Sequence, residues 1–210
     1  MTSFDKEGSP ELEFWFEFGS NYSYLSVMRI EALAAQQGVR IVWKPFLLGP
    51  VFKRFGWNTS PFVLQKEKGQ YVWMDMARQC DKYGLPWTRP TAFPRSALLP
   101  MRVALIGADR AWIAAFCKRM MQLNFVADRE IDTIEAVGEV LTELGLPCDE
   151  LIECARSEDC KIQLRKQTEK AVELGLFGAP TFLVAKEMFW GNDRLEDALA
   201  MAAQRGRAVR

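Results

Sequence analysis

The sequence predicts an α/β fold in which a β-α-β unit and a later β-β-α unit are separated by a long, all-helical insertion. Strand-type alternation occurs only near the two ends of the chain, and helical periodicity fills the middle. At the start, a strand, a helix and a second strand follow each other, an order that makes a right-handed unit with parallel strands. These observations define the α/β class.

The first strand and helix carry the clearest pattern. Apolar residues occupy every second position in one set, Leu12, Phe14, Phe16 and Phe18. The positions between them are mostly acidic and are Glu11, Glu13, Trp15 and Glu17. A period of two predicts a strand with one buried face. Gly19 and Ser20 end this pattern, and apolar residues at helical spacing over residues 22–37, with Gly38 as the stop, predict the first helix.

The later elements follow from the same two periods. Alternation over residues 39–44 predicts a second strand that Pro45 stops, and the Gly, Pro and Asn content of residues 48–61 predicts an irregular loop. From about residue 66 to residue 175 only helical spacing occurs, and a helix is expected to begin or kink at Pro100. Residues 181–184 and 188–190 then predict a hairpin before a final helix.

These boundaries divide the chain into three parts. Residues 1–10 are polar, contain Gly8 and Pro10, and are expected to form a disordered tail. Residues 11–60 and 176–210 are predicted to make one domain, and residues 61–175 a helical insertion domain.

The composition argues against several classes of function. Twenty-seven basic and twenty-seven acidic side chains leave no net charge, so no nucleic-acid partner is indicated. No apolar run is long enough to span a bilayer and no signal region begins the chain. A membrane partner is therefore not indicated, and a cytoplasmic location is expected.

The chain contains no histidine, which removes the usual general base, the commonest metal ligand and any Ser-His or Cys-His pair. Its five cysteines include no C-x-x-C motif, so neither a metal site nor a dithiol redox centre is predicted. They are expected to be buried or inert thiols in a reducing compartment, and they are Cys80, Cys117, Cys148, Cys154 and Cys160.

Ser20 lies where the first helix begins and is the first candidate for a binding residue. Backbone N–H groups at a helix N-terminus lack intrahelical partners and, with the helix dipole, favour an anion. Serine is also a preferred N-cap residue, so a purely structural role for Ser20 stays open at this point.

The order of the elements, with Gly178-Ala-Pro-Thr181 directly before the third strand, resembles the thioredoxin superfamily. Members of that superfamily place a cis-proline there, beside the N-terminus of the first helix. The helical insertion resembles their DsbA branch, so a thioredoxin-like fold of the DsbA or kappa type is implied. Redox members begin the first helix with C-x-x-C, whereas this chain has Ser20-Asn-Tyr-Ser23, which disfavours a thiol-disulfide oxidoreductase.

The segment Phe18-Gly-Ser-Asn-Tyr-Ser-Tyr-Leu25 is similar to the S-P-Y-S-[YW]-L signature of kappa-class glutathione transferases and bacterial 2-hydroxychromene-2-carboxylate isomerases. Asn21 replaces the proline of that signature. Five further motifs follow in the family's order, namely Pro45-Phe-Leu-Leu-Gly-Pro-Val-Phe-Lys53, Gly56-Trp-Asn58, Lys68-Gly-Gln-Tyr71, Phe177-Gly-Ala-Pro-Thr-Phe182 and Trp190-Gly-Asn-Asp-Arg-Leu195.

The resemblance implies that glutathione is the cofactor and that Ser20 donates a hydrogen bond to its sulfur. A helix N-terminus lowers the pKa of a thiol from about 8.5, so bound glutathione would be largely thiolate at neutral pH. The matching motifs imply that glutathione is bound by Asn58, Lys68, Ala179, Pro180, Asn192 and Asp193. They also imply that Lys53 and Trp57 bind the aromatic substrate.

Several of these roles have a structural alternative. Asp193 with Glu196 also forms a capping pair for the last helix, and Lys53 and Lys68 are also typical of a solvated surface. Five aromatic residues either line a substrate pocket or pack in the core, and these are Trp15, Phe46, Phe52, Trp57 and Trp73.

The function that the resemblance implies is a glutathione-dependent isomerase of the 2-hydroxychromene-2-carboxylate type. Such an enzyme works by reversible thiolate addition to a conjugated double bond of a small aromatic acid, in aromatic degradation. Two alternatives remain, a kappa-like transferase or peroxidase that consumes glutathione, and a non-catalytic binding member in which Ser20 is only a helix cap. The resemblance also implies a homodimer.

Overall fold

The computed structural model describes residues 10–208, so the expected tail, apart from Pro10, lies outside the described residues. The first unit consists of β1 (Glu11–Phe16), α1 (Asn21–Gln37) and β2 (Arg40–Pro45), with β1 and β2 parallel. This is the predicted β-α-β unit. Gly38 ends α1 with a φ of 64°, as its position after the helical pattern predicted.

Only helices lie between β2 and the next strand in the described chain. They are α2 (Leu48–Arg54), α3 (Pro61–Leu64), α4 (Lys66–Tyr83), α5 (Leu98–Ile106), α6 (Ile113–Phe125), α7 (Ile134–Glu143), α8 (Cys148–Arg156) and α9 (Glu158–Glu173). Within residues 10–208, none of the helices combines the length and the apolar character that a membrane crossing requires.

The second unit completes the sheet. It consists of the hairpin of β3 (Thr181–Val184) and β4 (Glu187–Trp190), a short 3-10 helix (Asn192–Arg194) and α10 (Leu195–Ala208). The strand order is β2-β1-β3-β4, with β3 antiparallel to both of its neighbours. The register pairs Phe14 of β1 with Trp43 on one side and with Phe182 on the other.

Phe14 marks the centre of the core. Its ring stacks on Phe16 and Phe182, with ring centroids 5.1 and 5.3 Å apart, and meets Trp43 edge-on at 5.4 Å. This face of β1 belongs to the main hydrophobic cluster, which also takes in buried residues of α1, α6 and α10. Aromatic packing therefore fixes the strand from which the chain turns into α1.

The other face of β1 is buried as well, so the prediction of a single buried face is wrong. Trp15 is only 2% exposed, and its ring meets Phe46 edge-on at 5.9 Å. A second hydrophobic cluster covers it and includes residues of α2, α9 and β3. The alternation in β1 carries no information about this cover, because α2 and α9 are distant in sequence.

Three prolines lie in the first turns of helices. Pro50 is the third residue of α2, Pro61 the first residue of α3, and Pro100 the third residue of α5. The first N–H groups of a helix have no intrahelical acceptor, so proline removes no hydrogen bond there. Residues 48–54 are consequently helical where a loop was predicted, and the helix expected to begin or kink at Pro100 begins at Leu98.

Candidate functional site

Ser20 caps the N-terminus of α1. Its backbone is extended, and its Oγ accepts a hydrogen bond from the backbone N–H of Ser23 at 3.2 Å. The backbone N–H of Tyr24 donates to the Ser20 carbonyl oxygen at 3.2 Å. The N–H groups of Asn21 and Tyr22 are therefore the first-turn donors without an intrahelical acceptor, and both residues line the cleft described below.

The Ser20 hydroxyl also reaches the loop before β3. Its Oγ donates a hydrogen bond to the carbonyl oxygen of Ala179 at 2.9 Å. The Ala179–Pro180 peptide bond is cis, and the Pro180 carbonyl oxygen accepts the N–H of Gly191 at 3.0 Å. The start of α1 and the cis-proline therefore face each other, which is the arrangement that the resemblance implies.

A cleft of about 860 Å³ opens in front of Ser20. Its walls come from the turn before α1, from parts of the segment 48–79, from residues 93–96, and from the residues that flank β3 and β4. Seven of the predicted site residues line this cleft, namely Ser20, Asn58, Lys68, Ala179, Pro180, Asn192 and Asp193. The fold thus brings residues from both ends of the chain to one site.

Asn192 and Asp193 contribute to the cleft in different ways. Asn192 is buried, and its Oδ1 accepts hydrogen bonds from Ser26 Oγ at 3.1 Å and from Arg29 Nη1 at 3.2 Å. Its Nδ2 is therefore the side-chain group that remains for a ligand. The side chain of Asp193 is 73% exposed, with its Oδ2 3.5 Å from Arg194 Nη2. Asp193 keeps a solvated carboxylate at the rim.

Lys68 provides a positive charge on the same cleft. It is exposed in the first turn of α4, and it forms no ion pair with any part of the chain that the structure describes. Asn58 is also exposed, in the connection between α2 and α3. The capping pair considered for Asp193 is not formed, because Glu196 pairs with Arg29.

Lys53 and Trp57 are not among the residues that line the cleft. Lys53 is exposed in the last turn of α2. The Trp57 ring packs on Phe52 and Phe55, with centroid distances of 6.0 and 5.5 Å. The role of Lys53 and Trp57 in binding an aromatic substrate stays a prediction.

The aromatic lining of the cleft differs from the set considered from the sequence. Of those five residues only Phe52 lines it, because Trp15 and Phe46 are buried in the second cluster and Trp73 stacks on Trp87. The aromatic residues that do line the cleft are Tyr22, Phe52, Phe62, Tyr71, Phe93, Phe177 and Trp190.

Phe177 and Trp190 form an exposed aromatic wall that the sequence reasoning missed. Their ring centroids are 4.8 Å apart, and the two residues are 42% and 52% exposed. Both belong to motifs that were recognised, each directly before a glycine of its motif. The available sequence signal was therefore the position of each aromatic residue beside Gly178 or Gly191. In the fold, a Cβ at Gly178 would lie only 2.4 Å from Trp190 Nε1, so glycine at this position leaves room for the Trp190 ring.

Glu17 also lines the cleft, although the alternation put it opposite the buried face of β1. It begins the tight turn before α1, where its carbonyl oxygen accepts the Ser20 N–H at 3.1 Å. The side chain is half-buried, and burial of its carboxyl raises the pKa of Glu17 from 4.5 to about 8. The group is therefore mainly a neutral carboxylic acid at pH 7.

Arg95 fixes the segment 93–96 at the edge of the cleft. It is buried, and its guanidinium donates to Asn124 Oδ1 at 3.0 Å and to Asp128 Oδ1 at 2.6 Å. This hydrogen bond lowers the pKa of Asp128. Asn124 Nδ2 in turn donates to the carbonyl oxygen of Phe18 at 2.9 Å, which connects Arg95 to the turn before Ser20.

All five cysteines are free thiols, and none of them lines the cleft. Cys80, Cys117 and Cys160 are buried, and burial raises the pKa of each, to about 11 for Cys80 and Cys160. Cys154 is exposed. Among the described residues, no group of three or more Cys, Asp or Glu side chains is arranged to hold a metal ion.

Comparison with known proteins finds relatives over almost the whole chain. The family model of the DSBA-like thioredoxin domain matches residues 11–202. A 2-hydroxychromene-2-carboxylate isomerase from Sphingobium xenophagum is 30% identical over 190 residues, which cover 88% of this chain and 94% of that protein. Glutathione S-transferase kappa 1 of Caenorhabditis elegans is 27% identical, with 88% and 87% of the two chains covered.

Structure comparison gives the same result. A solved structure of 2-hydroxychromene-2-carboxylate isomerase matches with a TM-score of 0.82 at 26% identity, and the match covers 95% of this chain and 99% of that chain. The predicted thioredoxin-like fold of the DsbA or kappa type is confirmed, and so is the resemblance on which it was based. The roles of the individual site residues stay predictions.

Proposed function

We propose that this protein is a glutathione-dependent isomerase. The chain belongs to the DSBA-like thioredoxin family, and its relatives include 2-hydroxychromene-2-carboxylate isomerases and kappa-class glutathione transferases. Its proposed substrate is an aromatic acid of the 2-hydroxychromene-2-carboxylate type, in aromatic degradation. The observation that carries the proposal is that Ser20 and the six residues predicted to bind glutathione line one cleft.

The groups in the cleft fit a tripeptide thiol. Its volume of about 860 Å³ is typical of small-molecule sites, which span about 300–1,000 Å³. Glutathione carries an ammonium group and two carboxylates, and the cleft offers opposite charges in Asp193 and Lys68. Asn58 and the Nδ2 of Asn192 supply further polar contacts. In this proposal Asn192 and Asp193 hold the γ-glutamyl end, and Asn58 and Lys68 hold the remainder.

The hydrogen bond between Ser20 and Ala179 supports a specific mode of binding. The Ala179 carbonyl oxygen accepts the Ser20 proton at 2.9 Å. An extended peptide that pairs with the backbone of Ala179 offers an N–H to the same oxygen. The Ser20 hydroxyl is then free to turn its proton to the sulfur, while its Oγ still accepts the N–H of Ser23. One proton is redirected and no hydrogen bond is lost.

Bound glutathione supplies a thiolate that adds reversibly to the conjugated double bond of the substrate and so permits rotation about that bond. Ser20 stabilises the negative charge on the sulfur, and the N-terminus of α1 lowers the pKa of the thiol. The sequence has no histidine to deprotonate Ser20, so Ser20 acts as a hydrogen-bond donor and not as a nucleophile. Phe177 and Trp190 offer their exposed rings to the aromatic ring of the substrate.

The experiment that tests this function mixes the purified protein, glutathione and 2-hydroxychromene-2-carboxylate and follows absorbance as the ring-opened acid forms. A rate that requires glutathione, with no net loss of glutathione, is expected. An unchanged spectrum, or the same rate without glutathione, contradicts the proposal.

The relative named glutathione S-transferase kappa 1 favours a second candidate, a transferase or peroxidase that consumes glutathione. The same cleft would serve both reactions, because each needs a stabilised thiolate at Ser20. Loss of glutathione with a model electrophile or a peroxide, without isomerisation of the chromene acid, would identify this second function. Binding of glutathione with neither reaction would identify a non-catalytic member.

The proposal also includes a cytoplasmic location and a homodimer. The cytoplasm keeps glutathione reduced, and the five free thiols suit such a compartment. The chain has a mass of 24.0 kDa, so sedimentation should give twice this value. A monomer at the concentration of the activity assay would contradict the dimer.

A further inference from the structure

Glu17 places a carboxyl group on the cleft, and none of the roles proposed for the other lining residues involves it. Its side chain is half-buried and, among the described residues, forms no hydrogen bond and no ion pair. The other carboxylate on the cleft, Asp193, is 73% exposed and lies beside Arg194. Partial burial without a partner disfavours the ionised form of this carboxyl, and a carboxyl with a raised pKa on a cleft is a candidate functional group.

Glu17 precedes Ser20 by three residues in the turn before α1. The backbone hydrogen bond from the Ser20 N–H to the Glu17 carbonyl oxygen, at 3.1 Å, closes a tight turn. A Cβ placed on Gly19 would lie 3.5 Å from Glu17 Oε2, so the carboxyl folds over Gly19, the residue next to Ser20. Glu17 and Ser20 therefore lie at the two ends of one tight turn, and both line the cleft.

The surroundings of Glu17 contain no charge that pairs with it. The titratable and charged side chains on the cleft are Tyr22 of α1, Lys68 and Tyr71 of α4, Arg95 before α5, and Asp193 and Arg194 after β4. The two Nη groups of Arg95 donate to Asn124 and Asp128, and Tyr22 donates its hydroxyl to Asp75 Oδ2 at 2.7 Å. Burial without a compensating cation keeps the Glu17 carboxyl neutral at pH 7.

We propose that Glu17 is the general acid and base of the isomerisation, an inference that rests on the proposed function. As the bond between sulfur and carbon forms, the electron pair of the double bond moves to the conjugated carbonyl oxygen, and the Glu17 carboxyl gives its proton to that oxygen. After rotation the Glu17 carboxylate takes this proton back, the double bond reforms and the bond to sulfur breaks. Protons and electrons balance, and both glutathione and Glu17 return to their starting states.

The other groups on the cleft are poorer proton donors for this step. The Ser20 hydroxyl is used by the sulfur in the proposed mode of binding. The Tyr22 hydroxyl already donates to Asp75, and burial together with that hydrogen bond raises its pKa. Lys68 stands at the position that meets a carboxylate of glutathione. Glu17 is left as a neutral acid on the same cleft, and a neutral acid is what general acid catalysis at neutral pH requires.

The first test is the Glu17→Gln variant, which keeps the shape of the side chain and removes the proton. The isomerase kcat should fall about a hundredfold or more, while stabilisation of the protein by glutathione is retained. In the wild-type protein kcat should decrease as the pH rises through about 8, and this decrease should be absent in the variant. The matched control is Glu153→Gln, an exposed carboxylate of α8, which should retain full activity.

The second test reads the protonation of Glu17 without an activity assay. An infrared difference spectrum between the wild-type protein and Glu17→Gln at pH 7 should contain the carbonyl band of a protonated carboxyl, and the band should disappear above pH 8. Absence of this band at pH 7 overturns the proposal.

The outcomes separate this inference from the proposed function. An active wild-type protein together with a Glu17→Gln variant that keeps more than half of the activity overturns the role of Glu17 alone. A wild-type protein that binds glutathione and does not isomerise the acid overturns the proposed function and this role with it.

Discussion

The hydroxyl of Ser20 donates a hydrogen bond to the carbonyl oxygen of Ala179 at 2.9 Å, across 159 positions of the chain. The same Oγ accepts the N–H of Ser23 at 3.2 Å, so one side chain both caps α1 and contacts the loop before β3. Ser20 therefore contributes to stability and, in the proposed function, to binding of the sulfur. Variants at Ser20 and at a second N-cap serine separate the two contributions.

Replacing Ser20 by alanine should lower the glutathione-dependent rate about tenfold, because the donor that stabilises the bound thiolate is lost and a smaller fraction of the glutathione is ionised at pH 7. The free energy of unfolding should fall by about 1 kcal/mol, because the N-cap is lost as well. Steady-state kinetics and urea unfolding measure the two effects on the same preparation.

The control for this variant is Ser157→Ala. Ser157 caps α9 by accepting the N–H of Cys160 at 3.2 Å, and it is not among the residues that line the cleft. It should lose about 1 kcal/mol of stability and no activity. If Ser157→Ala lost as much activity as Ser20→Ala, the loss of rate would be explained by lower stability and not by the missing Ser20 hydroxyl.

Replacing Lys68 by methionine should weaken glutathione binding about tenfold or more, because a hydrogen bond to a charged group contributes about 1.5–3 kcal/mol. The neighbouring Lys66 is exposed in the same first turn of α4 and does not line the cleft, so Lys66→Met should bind normally. Titration calorimetry compares the two. Equal affinity in both variants would mean that Lys68 is only a solvated surface residue.

The stability of the protein should depend on the ionisation of Glu17. Burial raises the pKa of Glu17 from 4.5 to about 8. Below pH 4.5 the group is protonated in both the folded and the unfolded state. As the pH rises from 4.5 to 8 the unfolded chain releases the proton and the folded chain keeps it, so the folded state becomes relatively less stable.

This effect is measured as the difference in the free energy of unfolding between the wild-type protein and Glu17→Gln. The free energy of unfolding of the wild-type protein should decrease relative to that of Glu17→Gln as the pH rises from 4.5 to 8, and the difference should be constant above that range. A difference that stays the same at every pH would show that Glu17 titrates normally.

Phe14→Ala should destabilise the protein by about 3–5 kcal/mol, because it removes a ring at the centre of the main cluster and leaves a cavity. The comparison variant is Phe55→Ala, at a residue that is 49% exposed. It should change the free energy of unfolding by only about 0.5 kcal/mol. Similar losses in both variants would contradict the description of Phe14 as the centre of the core.

The elements that depend on nearby residues could be predicted from the sequence. The alternation before Gly19, the helix stop at Gly38 and the hairpin at residues 181–190 each have their signal within a few positions. The burial of Trp15 and the place of Glu17 on the cleft could not be predicted, because the residues around them come from α2, α9 and other distant parts of the chain.

The candidate site shows the same division. Lys68 and Asn192 lie in recognised motifs, and both line the cleft. Arg95 lies in no such motif, and its place at the cleft depends on Asn124 and Asp128, which it contacts only in the folded chain. Pairings of this kind leave no local pattern in the sequence.

The pKa of the glutathione thiol on the protein tests the account most directly. It is measured by following the ultraviolet absorbance of the thiolate with pH, under conditions where nearly all glutathione is bound. A pKa of about 7.5 or below is expected, against about 8.5 for a free thiol, and a return towards the free value is expected in Ser20→Ala. A bound thiol that titrates at the free value, or a protein that does not bind glutathione, would contradict the account.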